Sequence, residues 1–173
     1  MKRAEDIEII PIKVEDDGKI PNHPDFPLLI YKSVFEDGDD IPAILNSNDW
    51  SGEWLGSVHP FHHYHSNTHE VLAVKEGHAT LQLGGEQGEV VEAEKGDVII
   101  LPAGYGHKKI EASDDYANYG AYPGGISFDM CYGEPEERPE KVENIKRVSP
   151  PGFDPVFGQD GSLFDYWEGW FTH

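Results

Sequence analysis

The stretch "HPFHHYHSNTHEVLAVKEGHATLQLGG", residues 59 to 85, decides the fold. Its first twelve residues carry five of the chain's nine histidines. Its second half alternates apolar and polar side chains between glycines. Ala79, Leu81 and Leu83 share one parity and Thr80 and Gln82 the other, the period-2 mark of a half-buried strand. From Trp54 to Tyr122 the text continues in the same way. Short β-prone runs such as "EVVEAEKGD", "VIILPAG", "HKKIEAS" and "DYANYGAYP" are punctuated by glycine turns. Strands at this spacing predict an all-β sandwich or barrel.

The histidines sort by parity. In a strand, residues i and i+2 share a face. His63 and His65 therefore project together, while His62 and Tyr64 point the other way. Their Cα atoms are expected about 6.5–7 Å apart. Two imidazoles at that separation can converge on one ion through bonds of about 2.1 Å. His59 has the right parity but lies about 13 Å upstream, so it is expected to line a pocket without reaching the ion. After the turn "SNT", either His69 or Glu70 can be carried inward. Both parities beyond them are apolar, so periodicity leaves that choice open. His107 follows a Pro-x-Gly turn in "GDVIILPAGYGH", an unusual place for a histidine whose only task is packing.

The 173 residues suffice for one domain with a sizeable core. The expected division is a single domain over 1–173, with a barrel core at about 50–125. A strand and helix extension precedes it over 1–49, and a helix and aromatic tail follow over 126–173. Thirteen prolines and nineteen glycines suit an all-β chain rich in turns. Helices are expected only around residues 41 to 48 and 135 to 147. "PLLIYKSVF", residues 27 to 35, reads as a strand, and one long and apolar for an exposed edge. Phe164, Tyr166, Trp167, Trp170 and Phe171 make a ring-rich tail that needs apolar cover, from the outside of the barrel or from a dimer contact.

Charge excludes some partners. A formal net charge of −20 leaves no basic face to meet phosphates, so nucleic acid is an unsuitable partner. It also disfavours a highly anionic substrate. No apolar run approaches the length of a membrane span, so no membrane partner is expected. The N-terminal stretch is too charged for a signal peptide, and the single Cys131 cannot form an internal disulfide. A cytoplasmic location is the expectation.

Two spaced motifs resemble those of the cupin superfamily. The first reads His63-x-His65, "SNTH", Glu70, "VLAVKE", Gly77. The second reads Gly96, "DVIIL", Pro102-Ala-Gly104, "YG", His107. Together they span residues 56 to 111. Two departures stand out. Gly56 lies one residue further from His63 than the pattern has it, and Glu111 occupies the position of a terminal asparagine. The segments "PNHPDFPLLIYKSVF" and "DPVFGQDGSLFDYW" also resemble a bacterial and archaeal group of uncharacterised single-domain cupins. The resemblance implies a double-stranded β-helix, a jelly-roll barrel, with short helical segments at both ends. It also resolves the open parity in favour of Glu70. The implied ligands are His63, His65, Glu70 and His107, around one divalent transition-metal ion. Three neutral imidazoles and a carboxylate suit iron, manganese, nickel, zinc or copper.

The function so implied is a metal-dependent enzyme of dioxygenase, isomerase or decarboxylase type on a small organic substrate. A non-catalytic binding, sensing or storage module is the alternative. Glu111, Lys109 and Tyr122 are the candidates for acid–base work, with His59 and Tyr64 nearby; Tyr64 is the weakest because its parity places it outside. A homodimer is expected, since it would cover both the edge strand and the tail.

Overall fold

A computed structural model describes residues 1–167. Among these, nine strands and three short α-helices alternate along the chain. The strands are β1 (Ile9–Ile12), β2 (Leu28–Tyr31), β3 (Trp50–Gly56), β4 (Glu70–Glu76), β5 (His78–Leu83), β6 (Glu89–Glu94), β7 (Val98–Leu101), β8 (His107–Ala112) and β9 (Ala117–Pro123). The helices are α1 (Ile41–Ser47), α2 (Glu140–Arg147) and α3 (Leu163–Tyr166). One sheet has six strands in the order β1-β2-β7-β4-β9-β3, and the other has three, β6-β5-β8. Every pairing between these strands is antiparallel. This is the all-β jelly roll expected of the sequence.

Strand β4 explains why both of its parities are apolar. Leu72 and Val74 face the smaller sheet and pack with Leu81, Leu83 and Ile99. Val71 and Ala73 face outward into a second core with Leu29, Tyr31, Trp50 and Ile100. A sheet covered on both faces loses the clean in–out alternation of a half-exposed one.

The chain itself covers the outer face of the larger sheet. Asp154 is fully buried and accepts four hydrogen bonds there. They come from the Tyr31 hydroxyl (2.5 Å) and from the amides of Val156 (2.8 Å), Phe157 (3.0 Å) and Leu163 (3.0 Å). Trp167 donates its indole N–H to the Pro27 carbonyl at 2.8 Å and stacks on Phe26 with ring centroids 5.0 Å apart. The ring-rich tail thus seals the outside of the sheet. Trp170 and Phe171 lie outside the described residues.

Three expectations need correction. First, β2 is not an edge. It ends at Tyr31, just before Ser33 takes a left-handed conformation, and it lies between β1 and β7. The edge is β1, four residues long with Pro11 inside it, a short strand that offers little to a pairing partner. Residues 1–49 therefore add two strands to the main sheet. Second, the helical stretch from residue 135 is interrupted: a 3₁₀ turn at Pro135–Glu137 precedes α2. Third, two further single turns appear, at Ala4–Asp6 and at α3. The strand edge that the expected homodimer would cover is therefore β1 rather than β2, and the described rings of the tail, Phe164, Tyr166 and Trp167, pack on the outer core of their own chain. No helix among the described residues is long and apolar enough to cross a membrane.

The anchoring role of Asp154 is testable. Asp154→Ala strands a buried hydroxyl and three amides, and is expected to cost about 3 kcal/mol or more in urea denaturation. Wild-type stability would show that the tail is held by something else.

Candidate metal centre

His63 and His65 do not belong to a regular strand. Isolated bridges pair His63 with His107 and Tyr64 with Cys131. The alternation still holds, because both bridges are antiparallel and enforce extended backbone. His63 and His107 exchange both backbone hydrogen bonds, at 3.3 and 3.0 Å, which brings their rings together, tilted at 52° with centroids 4.0 Å apart. The ligating nitrogens of His63, His65 and His107 all lie within 4.8 Å of one another, and all three side chains are buried.

Each ring is oriented by its other nitrogen. His63 Nδ1 donates to Phe61 O at 3.0 Å, His65 Nδ1 to Asp129 O at 2.6 Å, and His107 Nδ1 to Tyr105 O at 3.0 Å. A carbonyl can only accept, so Nδ1 carries the proton and Nε2 of the neutral ring presents a lone pair.

Glu70 opens β4 and points into the same space. Its Oε1 lies 3.4 Å from His65 Nε2 and 3.2 Å from His107 Nε2. That oxygen is buried and has no hydrogen-bond partner. Its Oε2 accepts from the Tyr122 hydroxyl at 2.8 Å, and that hydroxyl accepts from Trp54 Nε1 at 2.7 Å. An orphaned carboxylate oxygen facing imidazole lone pairs is costly unless a cation lies between them. Donors about 2.1 Å from one ion stand roughly 3.0–3.4 Å from each other, which matches the two Oε1–Nε2 separations. The donor set fits a borderline divalent ion.

Titration directions record the close contact between the carboxylate and the imidazoles when no ion lies between them. Burial, helped by the neighbouring His107, pushes the His63 imidazole down to about 2. Burial also opposes charge on His65, but the Glu70 carboxylate outweighs it and His65 is raised. Burial opposes charge on Glu70 as well, and His65 and His107 overcome it, holding the carboxyl below its usual range.

The remaining histidines of the cluster are elsewhere. His69 faces the outer core, 5.0 Å from the Trp167 ring. Its Nδ1 accepts from Ala103 N and its Nε2 donates to Ser149 O, both at 2.9 Å, so neither nitrogen is free. Tyr64 is buried away from the centre and donates to Glu137 Oε1 at 3.0 Å. His62 is outside the centre too; burial and nearby Lys108 lower it.

A cavity of about 380 Å³ opens over the cluster. Trp54, Tyr122 and Phe128 supply rings to its walls, with Val58, Leu72 and Met130 between them. Exposed Ser57 and His59 mark its mouth. Trp54 lies flat across β9 at Gly120, where any Cβ would come within 2.3 Å of the indole.

The three acid–base candidates fare differently. Tyr122 lines the cavity, but its hydroxyl is engaged by both Glu70 and Trp54. Lys109 stands at the mouth, its Nζ donating to Ser57 Oγ at 3.0 Å. Glu111 is exposed and does not reach the cavity. Leu81 pairs with Lys109 and Thr80 with Glu111, so Ile110 is an extra residue in β8. This bulge reverses the parity and turns Glu111 to the solvent face beside Thr80, His78 and Glu92. Sequence reasoning missed Trp54, Phe128, Asp129 and Met130. The signal was the alternation of Phe128 and Met130 with Asp129 and Cys131 in "SFDMCY". This segment is anchored across the fold: Ser66 N and Lys141 Nζ donate to the Asp129 carboxylate at 2.7 and 3.1 Å.

Comparison with known proteins places these features in context. The cupin domain family model matches residues 55–119. The uncharacterized protein YjlB of Bacillus subtilis (strain 168) is 47% identical over 152 residues, 88% of this chain and 92% of that one. An uncharacterized conserved protein with a double-stranded beta-helix domain from Klebsiella pneumoniae is 15% identical. It aligns over 72% of this chain and 84% of its own, with a TM-score of 0.35. Procruciferin, an 11S globulin of Brassica napus, is 12% identical over 60% of this chain, with a TM-score of 0.36. The match spans 21% of procruciferin's length.

A pH dependence follows from two histidines outside the cluster. His23 accepts from the amides of Asp25 and Phe26 and stacks on the Phe26 ring. Burial lowers His23 to about 3 and His69 to about 4, against an ordinary 6.5. The unfolded chain therefore binds these protons first. Their contribution to stability is full above pH 6.5 and is lost as the pH falls from there, down to about 4 for His69 and about 3 for His23. Thermal denaturation of metal-free protein should show this decline, and His69→Gln should make it shallower. A melting temperature flat between pH 7 and 5 would count against buried neutral rings.

Proposed function

The chain belongs to the cupin family, and on that footing we propose that it is a metal-dependent enzyme of dioxygenase, isomerase or decarboxylase type acting on a small organic molecule. One observation carries the reading: the buried, unpartnered Glu70 Oε1 faces imidazole Nε2 atoms whose Nδ1 protons are already committed. His63, His65, Glu70 and His107 would hold one divalent ion, iron, manganese, nickel, zinc or copper. Such an ion supplies Lewis acidity, and one-electron chemistry if it is redox-active.

The chain's own residues have separate tasks. The three carbonyls keep the imidazoles turned inward. Tyr122 and Trp54 hold Oε2, so Oε1 stays aimed at the centre. The aromatic and aliphatic walls exclude water around a bound molecule. His59 at the mouth is the lining group left to take or give a proton. Such a scarcity of free acid–base groups favours a second reading, a non-catalytic binding, sensing or storage module.

Elemental analysis of protein purified without an affinity tag tests the first step. About one divalent ion per chain is expected. His107→Ala should abolish it while leaving the circular dichroism unchanged. Tyr122→Phe, which frees Oε2, should weaken metal affinity by about tenfold. Undiminished metal content in His107→Ala would remove the proposed centre. With metal in place, turnover or oxygen uptake on a candidate substrate favours the enzyme; reversible binding alone favours the module.

A further inference from the structure

We propose that the cavity takes a monoanionic carboxylic acid with a compact, ring-bearing apolar body, its carboxylate held at the mouth by Lys109 and Ser57. The proposal rests on the function proposed above only for the far end of the molecule, which would face the metal.

Strand register aims Lys109 at the cavity. His107 pairs with Leu83 and Lys109 with Leu81, so both stand on the inward face of β8. Their Cα atoms are about 6.5–7 Å apart along the strand. Lys109 N donates to His59 O at 2.9 Å, which draws the two cavity edges together. Its Nζ donates to Ser57 Oγ at 3.0 Å, and Ser57 lines the cavity. The ammonium is not itself part of the cavity lining but rests on Ser57 at its edge, one pleat along β8 from His107.

That ammonium makes no ion pair among the described residues, although acidic residues outnumber basic ones 33 to 13. An ammonium carries three donors, and the hydroxyl uses one. Most of the cavity's other lining is apolar, with Trp54, Val58, Leu72, Phe128 and Met130. A molecule filling this space needs an apolar body and an anionic end. One ring with groups at opposite ends spans such a gap. A single cation in a chain of charge −20 suits one negative charge better than two. A carboxylate meets that condition, and a phosphate monoester does not.

Calorimetry with 4-hydroxybenzoate, its neutral isostere 4-hydroxybenzamide, and phenyl phosphate tests the inference on metal-free and zinc-loaded protein. In metal-free protein the acid should bind about tenfold more tightly than the amide. Lys109→Met should erase that ratio without changing amide binding, and Lys109→Arg should keep it. Phenyl phosphate should bind no better than the acid. The inference is overturned if acid and amide bind equally, if the ratio survives in Lys109→Met, or if the phosphate binds best. A preference seen only with zinc present would assign the carboxylate to the metal and also overturn it. Failure to take up zinc at all would instead end the metal-dependent function, and the acid preference of the metal-free protein would still stand.

Discussion

Three imidazole Nδ1–H groups end on the backbone carbonyls of Phe61, Tyr105 and Asp129. The rest of the centre depends on this. A neutral imidazole has one proton, and once it is spent on a carbonyl the other nitrogen can only accept. Three acceptors and a carboxylate then share a buried space with no donor assigned to Oε1. The protein has built a hole of the wrong charge for itself. Folding leaves that oxygen unpaired, and a divalent cation bound there would pair it.

The two-sided larger sheet makes such a centre affordable. Its outer core, tied down by Asp154, α1 and Trp167, stiffens β4 and β7 from behind. Neighbouring residues of one chain segment can then serve opposite layers. Glu70 enters the cavity while His69 spends both nitrogens on backbone groups in the outer layer. The same division leaves the inner layer free to carry Trp54, Phe128 and an open volume instead of close packing.

Short-range pattern made part of this legible. The i, i+2 spacing of His63 and His65 and the turn before His107 are local, and the structure brings these side chains together with Glu70. Strict alternation through β8 puts Glu111 on the same face as His107 and Lys109, and the bulge turns it away. A bulge leaves no mark on a period of two, and nothing in "HKKIEA" announces the extra residue. Residues 127–131 were opaque for a different reason. They form no ladder and are held by Ser66, Tyr64 and Lys141, partners remote in sequence. β2 reads as an edge in the sequence because its cover, β1, is a charged-flanked run of four residues containing proline.

The extra residue in β8 also behaves as a phase shift. Up to Lys109 the strand is in step with the cavity; beyond Ile110 it is out of step, and the next charged side chain faces water. Were the same residues paired without the bulge, Ile110 would stand opposite Thr80 and Glu111 opposite Ala79, and a carboxylate would face the inside of the barrel where the present chain has none. Whether β8 absorbs its extra residue as a bulge or as a one-residue slip therefore decides which side of the sheet that carboxylate faces, while His63, His65, Glu70 and His107, all nearer the start of the strand or on other segments, stay where they are.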